Sequence, residues 1–221
     1  MSASLPEDPT LDEVRAFLAP SLAAQAAFDG WTEKAVLAAA ELAGVDSDLA
    51  RLAFNDGPVD MIDAWFQAID EQMAAKYSAD ELAAMKVRQR IKALVEARLD
   101  ILYADREGLR RAVAILAAPP HLRGAAKMGW RAADRMWRLA GDTATDYNHY
   151  TKRTLLSGVY GSTISVFLDD ESENFAETRA FLDRRIENVM QFEKVKAKVT
   201  GRGGDRFSMA RFIGRLRYRG A

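Results

Sequence analysis

From Leu11 to Met190 apolar residues recur at helical spacing almost without a break, and I-to-I+2 alternation of the kind a half-buried strand needs is absent throughout. This restricts the chain to an all-α fold. Glycines, prolines and capping residues divide the run. Leu11 to Ala27 predicts a first helix, with Leu11, Val14, Phe17 and Leu18 on its apolar side and Gly30 as its C-cap. Thr32 is positioned to cap a second helix to about Leu42, and Ser47 a short third. Gly57-Pro58 ends that one and starts a fourth, because proline suits the first helical position. Ser78 and Glu81 form a capping box that opens a long helix to about Tyr103. Further helices are expected over 105–118, 121–140 and 143–168, with a last one from Ser172 past Met190. The expected bundle has about nine helices, with a tethered C-terminal amphipathic helix after it.

With 221 residues, 49% of them apolar, the chain has the material for a packed core. It has no cysteine, which excludes disulfides, thiolate metal sites and cysteine nucleophiles. The opening MSASLPEDPTLDE is acidic and resembles neither a secretory signal nor an arginine-rich transit peptide. The longest uncharged run, Thr154 to Leu168, has 15 residues, fewer than the roughly 18 a membrane span requires. It is expected to be a buried helix.

Trp31 to Phe54, WTEKAVLAAAELAGVDSDLARLAF, has the outline of a DNA-reading helix-turn-helix. Its charge argues otherwise. Residues 1–60 carry three cations against eleven acids, net −8, and the second helix offers Arg51 between Asp46 and Asp48. Phosphate contacts from Lys and Arg supply most non-specific affinity for DNA. The motif therefore reads as scaffold, and no nucleic-acid partner is expected.

Catalytic and metal-ligand patterns are sparse. Asp146 and His149 share a helical face, but no Glu-x-x-His of a di-iron bundle occurs. The GRGGD at 201–205 lacks the Gly-Lys-Ser/Thr of a phosphate loop, and there is no Gly-x-Ser-x-Gly elbow. The expectation is a non-enzymatic protein with no catalytic residue, metal or cofactor.

Two features point toward lipid. Residues 191–221 carry nine cations against two acids, net +7. Within them Met209, Phe212, Ile213 and Leu216 fall on one helical face, flanked by Arg206, Arg211, Arg215, Arg217 and Arg219. Hung on the glycines at 201, 203 and 204, such a helix suits a membrane interface, where each cation contributes on the order of 1 kcal/mol. Docking of the stripe on the parent domain or a neighbour is the alternative. The second feature is a row of small residues, Gly158, Gly161, Ser162 and Ser165, bordered by Leu155 and Val159. It permits close approach of another helix, as across a homodimer, or of an apolar ligand lying between helices.

The segment DRMWRLAGDTATDYNHYTKR at 134–153, with FAETRAFLDRRIENVM at 175–190, resembles the ninth Coq family of ubiquinone-biosynthesis accessory proteins. The likeness runs from about Trp31 to Met190. It implies a TetR-like fold whose helix-turn-helix does not act on DNA, a cavity for an isoprenoid quinone precursor or phospholipid, a membrane-binding C-terminal helix and a homodimer. It also implies docking of the pathway's di-iron hydroxylase around Asp134, Met136, Trp137 and Tyr150. His149 stands where the family usually has Trp, which alters that surface or makes the position peripheral. The implied organisation is a helix-turn-helix-like region over 1–60, a lipid-binding and docking region over 61–194, a Gly-rich linker over 195–204 and the membrane helix over 205–221. The implied role is binding a prenylated quinone intermediate at the membrane and presenting it to the hydroxylase. The location would be peripheral on a bacterial inner membrane, or on the mitochondrial matrix side for a processed chain. A TetR-like regulator responding to an apolar ligand is the alternative function.

Overall fold

A computed structural model of the chain describes residues 5–143, 145 and 147–201. Among them are ten α-helices and no strand: α1 (Leu11–Asp29), α2 (Glu33–Ala43), α3 (Ser47–Ala53), α4 (Pro58–Ala75), α5 (Ala79–Ala84), α6 (Val87–Leu102), α7 (Arg106–Leu116), α8 (Leu122–Leu139), α9 (Tyr147–Asp169) and α10 (Ala176–Gly201). Residues up to Asp183 form one compact unit, and those from Arg184 form a second.

Local chemistry sets most of the boundaries. The Thr10 hydroxyl accepts the Glu13 amide, and the Glu13 carboxylate accepts the Thr10 N–H, so α1 opens with a complete capping box. Gly30 ends it at φ +72°, a conformation disfavoured for residues with a Cβ. α3 differs from expectation at one residue. Asp46 is its N-cap, accepting the amides of Asp48 and Leu49, and Ser47 is the first helical residue. The carboxylate reaches both amides, so it displaces serine from the role.

The expected long helix over 78–103 is two helices. Ser78 and Glu81 do form their capping box. Met85 then leaves the helix at φ −90° and ψ 152°, and Lys86 restarts it with the Gln89 side chain accepting the Lys86 amide. No glycine or proline marks that break, so helical periodicity alone concealed it. α10 continues to Gly201, seven residues into the span 195–204 read as a linker. Val195 to Thr200 contains neither Gly nor Pro, and Ala and Lys are good helix formers.

The helix-turn-helix outline is carried by α2 and α3, packed on α1. Trp31, just before α2, is buried, packs tilted against Trp65 of α4 at 5.3 Å between ring centroids and donates its indole N–H to the Gly108 carbonyl of α7. Arg15 of α1 forms a two-point ion pair with Asp60 and donates to the Ala53 carbonyl, fixing the α3–α4 corner. α1 also crosses α7, where Gly108 lies against the Ala23 backbone. α8 and α9 pack side by side as a helical hairpin. α9 is half-buried rather than buried. Leu156, Val159, Thr163, Ile164 and Phe167 face the core, whereas Thr154, Gly158, Gly161 and Ser165 are exposed. An uncharged run does not separate buried from exposed when one face is made of small residues.

Candidate functional site

A groove with a cavity volume of about 500 Å3 opens between α7, α8 and α9, with α4 and α6 behind it. Its walls are overwhelmingly apolar. α7 gives Leu109, Val113 and Leu116, and α8 gives Leu122, Ala126, Met128 and Trp130. α9 presents Thr154, Ser157, Tyr160, Gly161, Ile164 and Ser165. The amphipathic phases of α7 and α8 bring these residues to one side, and the small side chains of α9 leave the space unfilled. Ser157 spends its hydroxyl on the Arg153 and Gly129 carbonyls, and Ser165 on the Gly161 carbonyl. The serines therefore line the groove without leaving their hydroxyl protons exposed.

Of the residues singled out from sequence as a pocket, Gly161 and Ser165 line the groove. Leu155, Gly158, Val159 and Ser162 do not. Val159 is buried in the core, and Gly158 and Ser162 lie farther round the solvent side. The 3.6-residue turn splits the row, since a groove wall takes one edge of such a stripe.

One charged residue stands among those lining the groove. Arg98 of α6 is 1% exposed, and Tyr160 beside it is 8% exposed. Arg98 donates from Nε to the Tyr160 hydroxyl at 3.0 Å and from Nη1 to Asp70 of α4. Arg131 of α8 reaches the other Asp70 oxygen at 3.3 Å and pairs with Asp63 at 2.6 Å. Burial works against the Arg98 charge, but Tyr160 and Asp70 outweigh it and hold the guanidinium pKa above its ordinary value.

A larger cleft, about 810 Å3, lies between α1, α4 and α8. Asp12, Arg15, Glu71, Arg131 and Arg135 line it, with pairs such as Arg135–Glu71 at 3.0 Å. Ala16, Pro20, Ala64 and Ala68 line it as well, but its charged side chains make it a poorer fit than the groove for an apolar ligand.

The docking residues expected from sequence divide into structural and surface positions. Met136 is fully buried, so it is core and offers nothing to a partner. Its neighbour Trp137 points elsewhere, as adjacent helical residues must, and donates its indole N–H to the Lys152 carbonyl at 3.1 Å. Asp134 is occupied by Arg153 at 2.6 Å and Arg138 at 2.7 Å. The buried Arg153 also binds Asp142 at 3.0 Å, tying the loop after α8 to α9. Burial tends to raise the Asp142 pKa, but hydrogen bonds from Lys152 and Arg153 prevail and lower it. Tyr150, by contrast, is 61% exposed. Its ring lies tilted against Trp130 at 6.0 Å between centroids, with His149 at 5.2 Å from Tyr150 and 6.4 Å from Trp130. Trp130 was not singled out from sequence, yet it belongs to both this aromatic surface and the groove wall.

Arg51 is paired with Glu33 and Asp48, each at 2.8 Å, so its charge is engaged by acids of the same region. No group of three or more His, Asp or Glu side chains among the described residues is arranged to hold a metal ion, and no described helix is long and apolar enough to cross a membrane. The membrane-binding candidates Arg206, Met209, Arg211, Phe212, Ile213, Arg215, Leu216, Arg217 and Arg219 lie outside the described residues.

Comparison with known proteins falls on the same helices. The COQ9 family model matches residues 122–193, which takes in α8, α9 and the groove wall they form. This stretch is similar in sequence to the COQ9 domain. The chain is 31% identical over 180 residues to the rat ubiquinone biosynthesis protein COQ9, mitochondrial, an alignment covering 79% of this chain and 58% of the rat protein. It is 28% identical to the human COQ9, covering 79% of this chain and 57% of that protein, and 27% identical to coq9 of Schizosaccharomyces pombe, covering 86% and 75%. The chain thus spans a little over half the length of the mammalian relatives it matches. In fold it is similar to a TetR transcriptional regulator from Nitrosomonas europaea, with a TM-score of 0.60 and 24% identity, covering 78% of this chain and 95% of that one. The fold is all-α and TetR-like, and the sequence kinship is with proteins of ubiquinone biosynthesis.

Proposed function

We propose that this chain is a non-enzymatic accessory protein of ubiquinone biosynthesis that binds a prenylated quinone precursor, or a phospholipid in its place, and presents the precursor to a partner hydroxylase. The observation that carries the reading is the groove between α7, α8 and α9, whose walls are apolar over a volume fit for a lipid segment. Burying such a chain there offsets a cost of about 0.8 kcal/mol per CH2 otherwise left in water. The match to the COQ9 family model covers two of the three helices that form the groove, which supports the same reading.

Presentation follows from adjacency. Trp130 lines the groove and lies against exposed Tyr150, so a partner seated on Tyr150 and His149 sits beside the bound ligand. The basic segment 205–221 is proposed to hold the protein at a membrane surface as a homodimer, on the matrix side of a mitochondrial membrane or at its bacterial equivalent. Mass spectrometry of organic extracts from the purified full chain tests the central claim. Recovery of an isoprenoid or phospholipid from wild type, and its loss from Ala126→Trp, is expected. An extract free of both from wild type refutes the proposal.

A ligand-responsive DNA regulator has the same fold to recommend it. The ion pairs that engage Arg51 speak against it. Tight, salt-sensitive retardation of duplex DNA in a gel would reverse that preference.

A further inference from the structure

We infer that Arg98 and Tyr160 form a polar recognition point within the groove, selecting an apolar ligand that carries an oxygen acceptor, whether a carboxylate or a ring carbonyl. The inference rests on the groove being a ligand site and adds what that site discriminates.

The groove wall contains one formal charge among its described residues, and it is positive. The counter-ion, Asp70, is not exposed to the groove in place of it. It is itself shared with Arg131, whose second partner is Asp63. The four charged groups balance, yet the one that lines the groove is the guanidinium. A guanidinium has five N–H donors. Arg98 uses Nε on Tyr160 and Nη1 on Asp70, and Nη2 takes part in neither bond. The Tyr160 oxygen is the acceptor of the Nε bond, so its own proton is not spent on Arg98. The inference assigns these two donors, Arg98 Nη2 and the Tyr160 hydroxyl, to an oxygen placed in the groove beside them.

Stability alone gives little reason for the arrangement. Buried ion pairs can often be replaced by packed apolar residues without loss of stability. Here the cation occupies a position in an α6 stripe otherwise made of Ile91, Leu94, Val95 and Leu102, all buried. In such surroundings a hydrogen bond from a desolvated cation is stronger than in water, and an ill-matched ligand head is penalised more heavily. Depth sets the orientation. Arg98 is 1% exposed and Leu122, on the same groove wall, is 54% exposed. The oxygen therefore sits deep, and the apolar part runs outward past Leu122.

The test uses the full chain and Nile red, a neutral dye that brightens in apolar sites. Dodecanoate, 2-decyl-1,4-benzoquinone and dodecylamine compete for the dye, matching apolar tails to an anionic, a carbonyl and a cationic head. In wild type at least one oxygen-headed probe should displace the dye at a concentration about tenfold lower than dodecylamine. Tyr160→Phe keeps the ring and should bring that probe to within about threefold of dodecylamine, with Nile red binding retained. Arg98→Lys, which keeps the charge and loses the fork, should act likewise, and melting curves verify that both variants are folded. Preference for dodecanoate identifies acyl carboxylates as the source, and preference for the quinone identifies an oxygenated ring. Equal displacement by all three probes in wild type, or unchanged discrimination in Tyr160→Phe, overturns the inference and leaves the groove reading standing. If Nile red fails to bind wild type, or binds Ala126→Trp as well as wild type, the groove reading falls and the inference with it.

Discussion

Replacing Gly108 by alanine adds one methyl group at the α1–α7 crossing, and two opposing effects follow. Alanine is the better helix former, by up to about 1 kcal/mol in a helix interior. Against this, a Cβ built on Gly108 lies 2.4 Å from the Ala23 carbonyl oxygen, 3.0 Å from its carbon and 3.1 Å from its Cβ. Two of these atoms are backbone, so no side-chain rotation relieves the overlap. Restoring ordinary contact requires α1 and α7 to separate by roughly 1 Å, and overpacking of this kind costs about 3 kcal/mol at the upper end of its usual range. The same shift lengthens the Trp31 bond to the Gly108 carbonyl, now 3.0 Å. The expected net loss is about 2 kcal/mol, a fall in melting temperature of about 4–8 °C for a chain of this size. Gly158→Ala is the matched control. That glycine lies inside α9 with nothing within 4 Å of an added Cβ, so the propensity gain acts alone and the melting temperature should rise by about 2–4 °C. Circular dichroism at 222 nm during heating reads both. A Gly108→Ala protein as stable as wild type would show that the helices separate freely there and that the crossing is not close-packed.

Further predictions address the surface and the polar network. Tyr150→Ala should leave the melting temperature within about 2 °C of wild type, since exposed sites change stability by about 0.5 kcal/mol or less, whereas Met136→Ala should cost about 2–5 kcal/mol; equal effects in thermal melts would contradict this division of the docking residues. Arg153→Met removes the buried cation that joins Asp134 to Asp142, leaving the two carboxylates to Arg138 and Lys152, and should cost about 1–3 kcal/mol in urea unfolding. Asp170 accepts the amides and hydroxyls of Ser172 and Thr178, bonds that overcome the opposing effect of burial and lower its pKa from 3.8 to about 2. The folded pKa lies below the unfolded one, so this contribution is present above pH 3.8 and is lost as the pH falls toward 2. Asp170→Asn should therefore be less stable than wild type by about 1–2 kcal/mol at neutral pH, and the gap should close in acid titrations monitored by fluorescence.

The helical fold was legible because glycines, prolines and capping boxes punctuate a strong 3.6-residue pattern, as at Gly30, Gly57-Pro58 and Ser78. The break at Met85-Lys86 was not, because it depends on Gln89 reaching back to a backbone amide. The groove was legible in part. Small residues marked α9, but which edge of the row lines a cavity depends on where α7 and α8 lie. Arg98 and Asp70 did leave a trace. Each interrupts an apolar stripe, Arg98 between Leu94 and Leu102 and Asp70 between Ile69 and Met73, and a cation and an acid at two core positions invite pairing. Trp130 left none, since a tryptophan on an amphipathic helix is expected in any core.

The shared carboxylate of Asp70 gives the groove unequal ends. At the inner end, α4 holds α6 through Arg98 and α8 through Arg131, and Arg98 holds α9 through Tyr160. Widening that end requires breaking a buried charge pair. The outer end is bounded by Ala117, Ala125 and Ala126 and by the exposed Leu122, none of which is tied by such bonds. A site built this way works as a ruler fixed at zero and unmarked beyond. On the proposed reading it would be strict about the chemical group at its origin and indifferent to length once a tail has passed Leu122, so that one protein would serve a family of homologues that differ only in the number of repeating units.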